Sequence, residues 1–182
     1  MGKWIVFVVV SLGIIFISWK SLLKPRSHGF YRFFAFELLL FLFLINLNYW
    51  FEDPFSLLQL ISWVLLAVSL FLAIHGFYLL QVIGKPQRAV QGSSDLGFEN
   101  TANLVTIGAY KYIRHPLYAS LLLIDWGIFF KHTAWLSGSL ALAVSVFLID
   151  TAKAEERENI TRFGDEYSRY RKNTKMFIPL VI

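Results

Sequence analysis

Two short stretches carry the side chains able to do chemistry: LVTIGAYKYIRHPLY at 104–118 and EERENITRFGDEYSRYRKNTKMFIP at 155–179. In the first, Pro116 suits the opening turn of a helix, where the N–H it lacks would have no partner anyway. The other leading N–H groups of such a helix have no intrahelical acceptor and sit at the positive end of its dipole. Arg114, His115 and Pro116 therefore mark a place suited to a carboxylate or phosphate. Tyr110, Tyr112 and Tyr118 add aromatic faces that can pack an adenine or, through their quadrupoles, favour a sulfonium cation. In the second stretch the adjacent carboxylates Glu155 and Glu156 can hold an ammonium group by charge-assisted hydrogen bonds. Each feature also has a plain structural reading. Basic and aromatic residues mark headgroup-level anchors, and a Glu pair forms a solvated helix face beside Lys153 or Arg157. Residue types alone leave both readings open.

The elements that must position these residues are apolar helices. Of 182 residues, 57% are hydrophobic and 16% charged, too much apolar surface for one water-soluble core to hide. At about 20 residues per span, the length allows one integral membrane domain, 1–182, and no second folded unit. Hydropathy places spans at 4–20, 33–51, 55–83, 116–130 and 134–150, with a polar loop at 84–103. Beyond Asp150 the composition turns abruptly to charge. Glu156, Ile160, Phe163, Tyr167 and Tyr170 recur at three- and four-residue steps, which predicts an amphipathic helix over 152–171, before an apolar tail at 177–182. The expected fold is all-α: a polytopic membrane protein with about five transmembrane helices and a C-terminal cytosolic amphipathic helix.

Basic residues follow spans one, three and five, so the N-terminus is expected outside and both chemistry-bearing stretches in the cytosol. Trp4, Trp19, Trp50 and Trp135 fall near span ends, as interfacial anchors should. The net charge of +5 is dispersed among spans and predicts no nucleic-acid binding. No cysteine is present, which excludes thiol nucleophiles, and His28 and His132 lack metal-ligand spacing, so no metal site is expected. Glu37, Asn46, His75 and Asp125 lie inside apolar spans, where polar groups either bond a neighbouring helix or face a substrate path.

The ordered set LVTIGAYKYIRHPLY, then EER, RFGDEYSRY and FIP resembles the isoprenylcysteine carboxyl methyltransferase family and its phospholipid methyltransferase relatives. The resemblance covers 104–179 and fits the number and order of spans. It implies a pocket for S-adenosyl-L-methionine closed by the C-terminal helix, with a lipid or lipophilic small molecule entering from the membrane and no obligate protein partner. Carried over, the cofactor-binding residues are Ala102, Asn103, Leu104, Val105, Tyr110, His115, Pro116, Leu117, Tyr118 and Glu155. Two positions depart from the family pattern. Ala102 replaces a residue that is often polar, and Thr151 stands where the prenylcysteine enzymes have an arginine facing the substrate carboxylate. Lys153 is the nearest cation able to take that arginine's place, and His115, Glu156 or a tyrosine could accept a proton from an amine substrate; Lys153 and Glu156 are the catalytic candidates. The alternatives are a phospholipid N-methyltransferase, an NADPH-dependent membrane sterol-type reductase with its own His-Pro-x-Tyr loop, and a non-enzymatic helical membrane protein.

Overall fold

A helix that is apolar on every side suits lipid, and the first helix has that character. Helix α1, Gly2–Leu22, buries Ser18 and Ser21 and turns its Val, Ile and Trp side chains outward. In the computed structural model, which describes residues 2–86 and 100–179, α2 spans His28–Asn46, α3 Leu57–Leu79, α4 Pro116–Phe129, α5 Trp135–Phe163 and α6 Asp165–Asn173. The centre of the expected polar loop, 87–99, and the end of the apolar tail, 180–182, lie outside the described residues. The chain is all-helical, with no strand among the described residues; α1, α2, α3 and α5 are long and apolar enough to cross a membrane. Helix α4 is a shorter apolar helix of 14 residues, about 21 Å long against a hydrocarbon core of roughly 30 Å.

Helix α2 begins earlier than hydropathy indicates because polar residues are built into its first turns. Ser27 caps it by accepting from the Phe30 N–H at 3.2 Å, and His28 and Arg32 are buried. His28 is held there by Glu158, its Nδ1 lying 2.5 Å from the carboxylate. Ser56 caps α3 in the same manner, and α3 widens into a π-helical turn over Leu80–Gly84. At that turn Gly84 lies so close to Thr101 that a Cβ would meet its methyl at 2.7 Å. The Gly84 carbonyl accepts from the N–H groups of Ala102 and Asn103 at 2.9 and 3.1 Å, pinning the two ends of the polar loop together.

The expected break between the fifth span and the amphipathic helix does not occur at Asp150. Helix α5 runs unbroken for 29 residues to Phe163, because 150–158 is rich in Ala, Glu, Lys and Arg, all good helix formers. It stops at Gly164, whose φ of +59° ends the helix at little steric cost. At about 1.5 Å per residue α5 is about 43 Å long, so its last two turns project beyond the hydrocarbon. Helix α6 then carries Asp165 and Glu166 in its first turn and Arg171 and Lys172 in its last, matching the helix dipole.

Helix α2 packs against α5, α3 against α4, and α1 against α2. Ala35, Val144, Leu148 and Ala152 form the centre of the core. The polar residues of the spans bond neighbouring segments. Glu37 accepts from Ser11 at 2.6 Å, Asn46 donates to the Ile128 carbonyl at 3.0 Å, and Asp125 accepts from Ser145 at 3.4 Å. His75 accepts weakly, at 3.4 Å, from the Ala109 N–H.

Candidate cofactor and substrate cleft

At one end of the bundle, where α3, α4 and α5 finish or begin, lies an open cleft with a cavity volume of about 70 Å³, and about 620 Å³ of empty space when the solvent at its mouth is counted. Each wall follows from local structure. Thr101, Leu104 and Val105 follow the pinned loop base, and a 3₁₀ turn over Gly108–Lys111 aims Tyr110 inward. Gly108 is required at that turn: its φ is +59°, and a Cβ would come within 2.6 Å of His75 Nε2. The start of α4 supplies His115, Leu117 and Tyr118, with Pro116 at the first helical position as expected. The projecting end of α5 supplies Glu155, Asn159 and Phe163 at four-residue steps on one face. Helix α6 covers the opening with Tyr167 and Tyr170, and the Tyr170 hydroxyl donates to the Tyr110 carbonyl at 2.6 Å.

The backbone joins these walls across a long stretch of sequence. The Lys175 N–H donates to the Tyr112 carbonyl at 3.1 Å, the Arg114 N–H to the Lys175 carbonyl at 2.7 Å, and the His115 N–H to the Met176 carbonyl at 3.2 Å. The His115 ring, buried at 5% exposure, then sits between two carboxylates. Its Nδ1 is 3.9 Å from Glu155 and its Nε2 is 3.5 Å from Glu156. Both distances exceed a normal hydrogen bond, so the ring retains bonding capacity. Glu156 is itself bonded by Arg114 Nε at 2.7 Å. Burial by itself would raise the Glu156 proton affinity, but the nearby His115 imidazole and the bond and charge of Arg114 outweigh it and hold the carboxyl below its usual range. The phenols go the other way. Burial pushes Tyr167 up, with the Glu156 and Glu155 charges adding to it, and burial likewise pushes Tyr170 up, so both remain neutral donors near neutral pH.

Of the residues singled out from sequence, Leu104, Val105, Tyr110, His115, Leu117, Tyr118 and Glu155 line the cleft together. Pro116 is fully buried behind it as the helix start. Ala102 and Asn103 are exposed and serve through their N–H groups at the loop base rather than in the wall. Lys153 is exposed and does not line the cleft, and Glu156 lies beneath it rather than facing it. Thr101, Arg114, Asn159, Phe163, Tyr167 and Tyr170 also line the cleft. Asn159 and Phe163 were recoverable from the four-residue step that begins at Glu155. The position of Tyr167 over the cleft depends on the bend at Gly164, which periodicity does not reveal. The described residues contain no cluster able to hold a metal ion.

No protein-family model matches the chain, and no solved structure matches it. Curated relatives do. Over 169 residues, 86% of the chain, it is 29% identical to methanethiol S-methyltransferase 1 of Bradyrhizobium diazoefficiens, of which it covers 55%. It is 27% identical over 180 residues, 90% of the chain, to methanethiol S-methyltransferase of Crocosphaera subtropica, of which it covers 65%. A shorter match of 79 residues, 43% of the chain, is 34% identical to protein-S-isoprenylcysteine O-methyltransferase of Schizosaccharomyces pombe, covering 34% of that protein. The chain thus spans about half to two thirds of the length of the methanethiol relatives. With Arg114-His115-Pro116, Glu155 and the α6 tyrosines gathered at one cleft, the chain is a homologue, at modest identity, of proteins named as methyltransferases, consistent with the isoprenylcysteine carboxyl methyltransferase-like family.

Proposed function

We propose that the chain is an S-adenosyl-L-methionine-dependent methyltransferase acting on a small lipophilic acceptor at the cytosolic end of a five-helix membrane bundle. The observation that carries the reading is the cleft itself. A carboxylate, an imidazole with spare bonding capacity and tyrosines from three elements converge at one end of an apolar bundle whose homologues are named methyltransferases. These residues fit the cofactor by their chemistry. Glu155 would hold the ammonium group, Tyr110 and Tyr118 would offer faces to the adenine and the sulfonium, and the leading N–H groups of α4 would favour the carboxylate. When bound, S-adenosyl-L-methionine supplies a methyl group on a positively charged sulfur. The protein's share is alignment and the exclusion of water, which needs no nucleophilic triad.

The acceptor class that the site favours is a thiol. A carboxylate acceptor needs a cation to orient it, and the side chains at hand do not offer one. Thr151 is fully buried with its hydroxyl bonded to the Phe147 carbonyl at 2.7 Å, Lys153 is exposed and outside the cleft lining, and Arg114 is engaged by Glu156. An amine acceptor needs a base, and Glu156 is a poor one because its proton affinity is lowered. A thiol needs no orienting cation and gives its proton to water more readily than an ammonium does, with ordinary values of about 8.5 for cysteine and about 10.4 for lysine, and the methanethiol relatives bear names of that chemistry. A thiolate held there would accept the methyl group that S-adenosyl-L-methionine supplies, giving a thioether and S-adenosylhomocysteine.

Calorimetry of S-adenosylmethionine and S-adenosylhomocysteine with the detergent-purified chain, with NADPH as competitor, tests the reading. Saturable binding of the first two, followed by methylation of a short alkyl thiol, is the expected result. Binding of NADPH alone, or of none of the three by a folded sample, sinks it.

A further inference from the structure

The cleft draws its walls from segments far apart in sequence, and one side chain touches three of them. Arg114 donates from Nε to Glu156 on α5 at 2.7 Å, and from Nη1 to the carbonyls of Arg171 at 3.2 Å and of Thr174. Its own N–H donates to Lys175. Glu156, so held, presents the same oxygen to His115 Nε2. Both members of the Arg114–Glu156 pair are about nine-tenths buried, at 10% and 9% side-chain exposure. Withdrawing a guanidinium and a carboxylate from water costs about as much as their attraction returns, so packing alone gives no reason for such a pair. Its geometry does. A planar guanidinium fork is the group able to serve a carboxylate and two carbonyls from one side chain, which a lysine ammonium does not reproduce.

We propose that Arg114 is a positioning residue of the cleft. Through Glu156 it fixes the His115 ring from behind, and through the Arg171 and Thr174 carbonyls it latches the C-terminal segment so that Tyr167 and Tyr170 stay over the opening. What the cleft binds rests on the methyltransferase reading; the latch does not.

The test uses the full chain in detergent with the variants R114Q, R114K, E156Q and the double variant R114Q/E156Q. Two quantities are read: affinity for S-adenosylhomocysteine by calorimetry, and backbone hydrogen exchange at Lys175, whose N–H bonds Tyr112. R114Q is expected to lose about tenfold or more in affinity, as for a buried charged hydrogen bond removed. R114K does not restore it, and the double variant is no worse than R114Q because the pair acts as a unit. Exchange at Lys175 rises while α2 and the membrane part of α5 stay protected. Wild-type affinity and exchange in R114Q, or additive losses in the double variant, overturn the proposal. Where R114Q does not fold, R114K, which keeps the charge and loses the fork, decides by the same two readouts. If the wild-type chain binds no cofactor, the methyltransferase reading falls and exchange at Lys175 alone decides the latch.

Discussion

The two ends of the bundle both bury polar side chains, but they use them differently. At the end away from the cleft, polar groups are bonded to one another or to main-chain carbonyls. Gln59 donates to the Tyr49 carbonyl at 2.9 Å and accepts from Lys131 Nζ at 2.9 Å. Ser62 donates to the Gly127 carbonyl at 2.6 Å, Ser137 donates to Asn46, and the Lys131 ammonium lies 3.2 Å above the Trp63 ring. At the cleft, His115 stands 3.5 and 3.9 Å from two carboxylates, and Glu155 remains partly open to the space in front. Bonds already made hold helices together in a medium without water to replace them. Bonds left long are available to a ligand, so the contrast separates the end that holds the fold from the end proposed to bind.

Substitutions can break this contrast. The largest effect is expected from Glu155→Gln, which keeps the shape of the side chain and removes its charge. Cofactor affinity should fall tenfold or more by calorimetry, with the unfolding temperature unchanged. Gln59→Leu at the far end should show the converse: a loss of about 2 kcal/mol in stability, because a buried ammonium and two carbonyls lose partners, with unchanged cofactor affinity. Gly108→Ala lies between these cases. Its positive φ and the contact with His75 predict a cost of about 1 kcal/mol and a displaced Tyr110, seen as a weaker affinity and a lower unfolding temperature together.

A pH titration sharpens the same comparison. Glu156 and Glu158 both have lowered proton affinity. In each case burial pushes it up and is outweighed, by His115 and Arg114 for the first and by His28 for the second. A carboxylate depressed in the folded state contributes stability that is fully present above its ordinary value of 4.5 and is lost as pH falls through the folded value. Thermal unfolding in detergent should therefore be insensitive to these groups from neutral pH down to roughly pH 5, and fall below it. In R114Q the fall should be smaller, because Glu156 without the Arg114 bond and charge is less depressed in the folded state and has less stability to lose as pH drops. The smallest effect is expected from Lys153→Ala, since that side chain is exposed and outside the cleft. A change in cofactor affinity of more than about twofold would put Lys153 back at the site.

What the order of residues determined by itself was the helical content and the identity of most cleft residues. Hydrophobic runs of span length have few other solutions in lipid, because every backbone group must be bonded within the segment. His115, Tyr118 and Glu155 were legible through the ordered motif and its resemblance to the isoprenylcysteine carboxyl methyltransferase family, since residue types alone left a structural reading open. Three things were decided only by the tertiary structure. Helix α5 continues past Asp150 because nothing local stops it before Gly164, and the composition change there marks a solvent boundary rather than an end of helix. Glu155 and Glu156, alike and adjacent in sequence, part company because successive residues point to different sides of a helix: one faces the cleft, the other meets Arg114. Arg114 itself, readable from sequence as a charge at a helix start, owes its place to carbonyls of Arg171 and Thr174 that only the returning chain brings within reach.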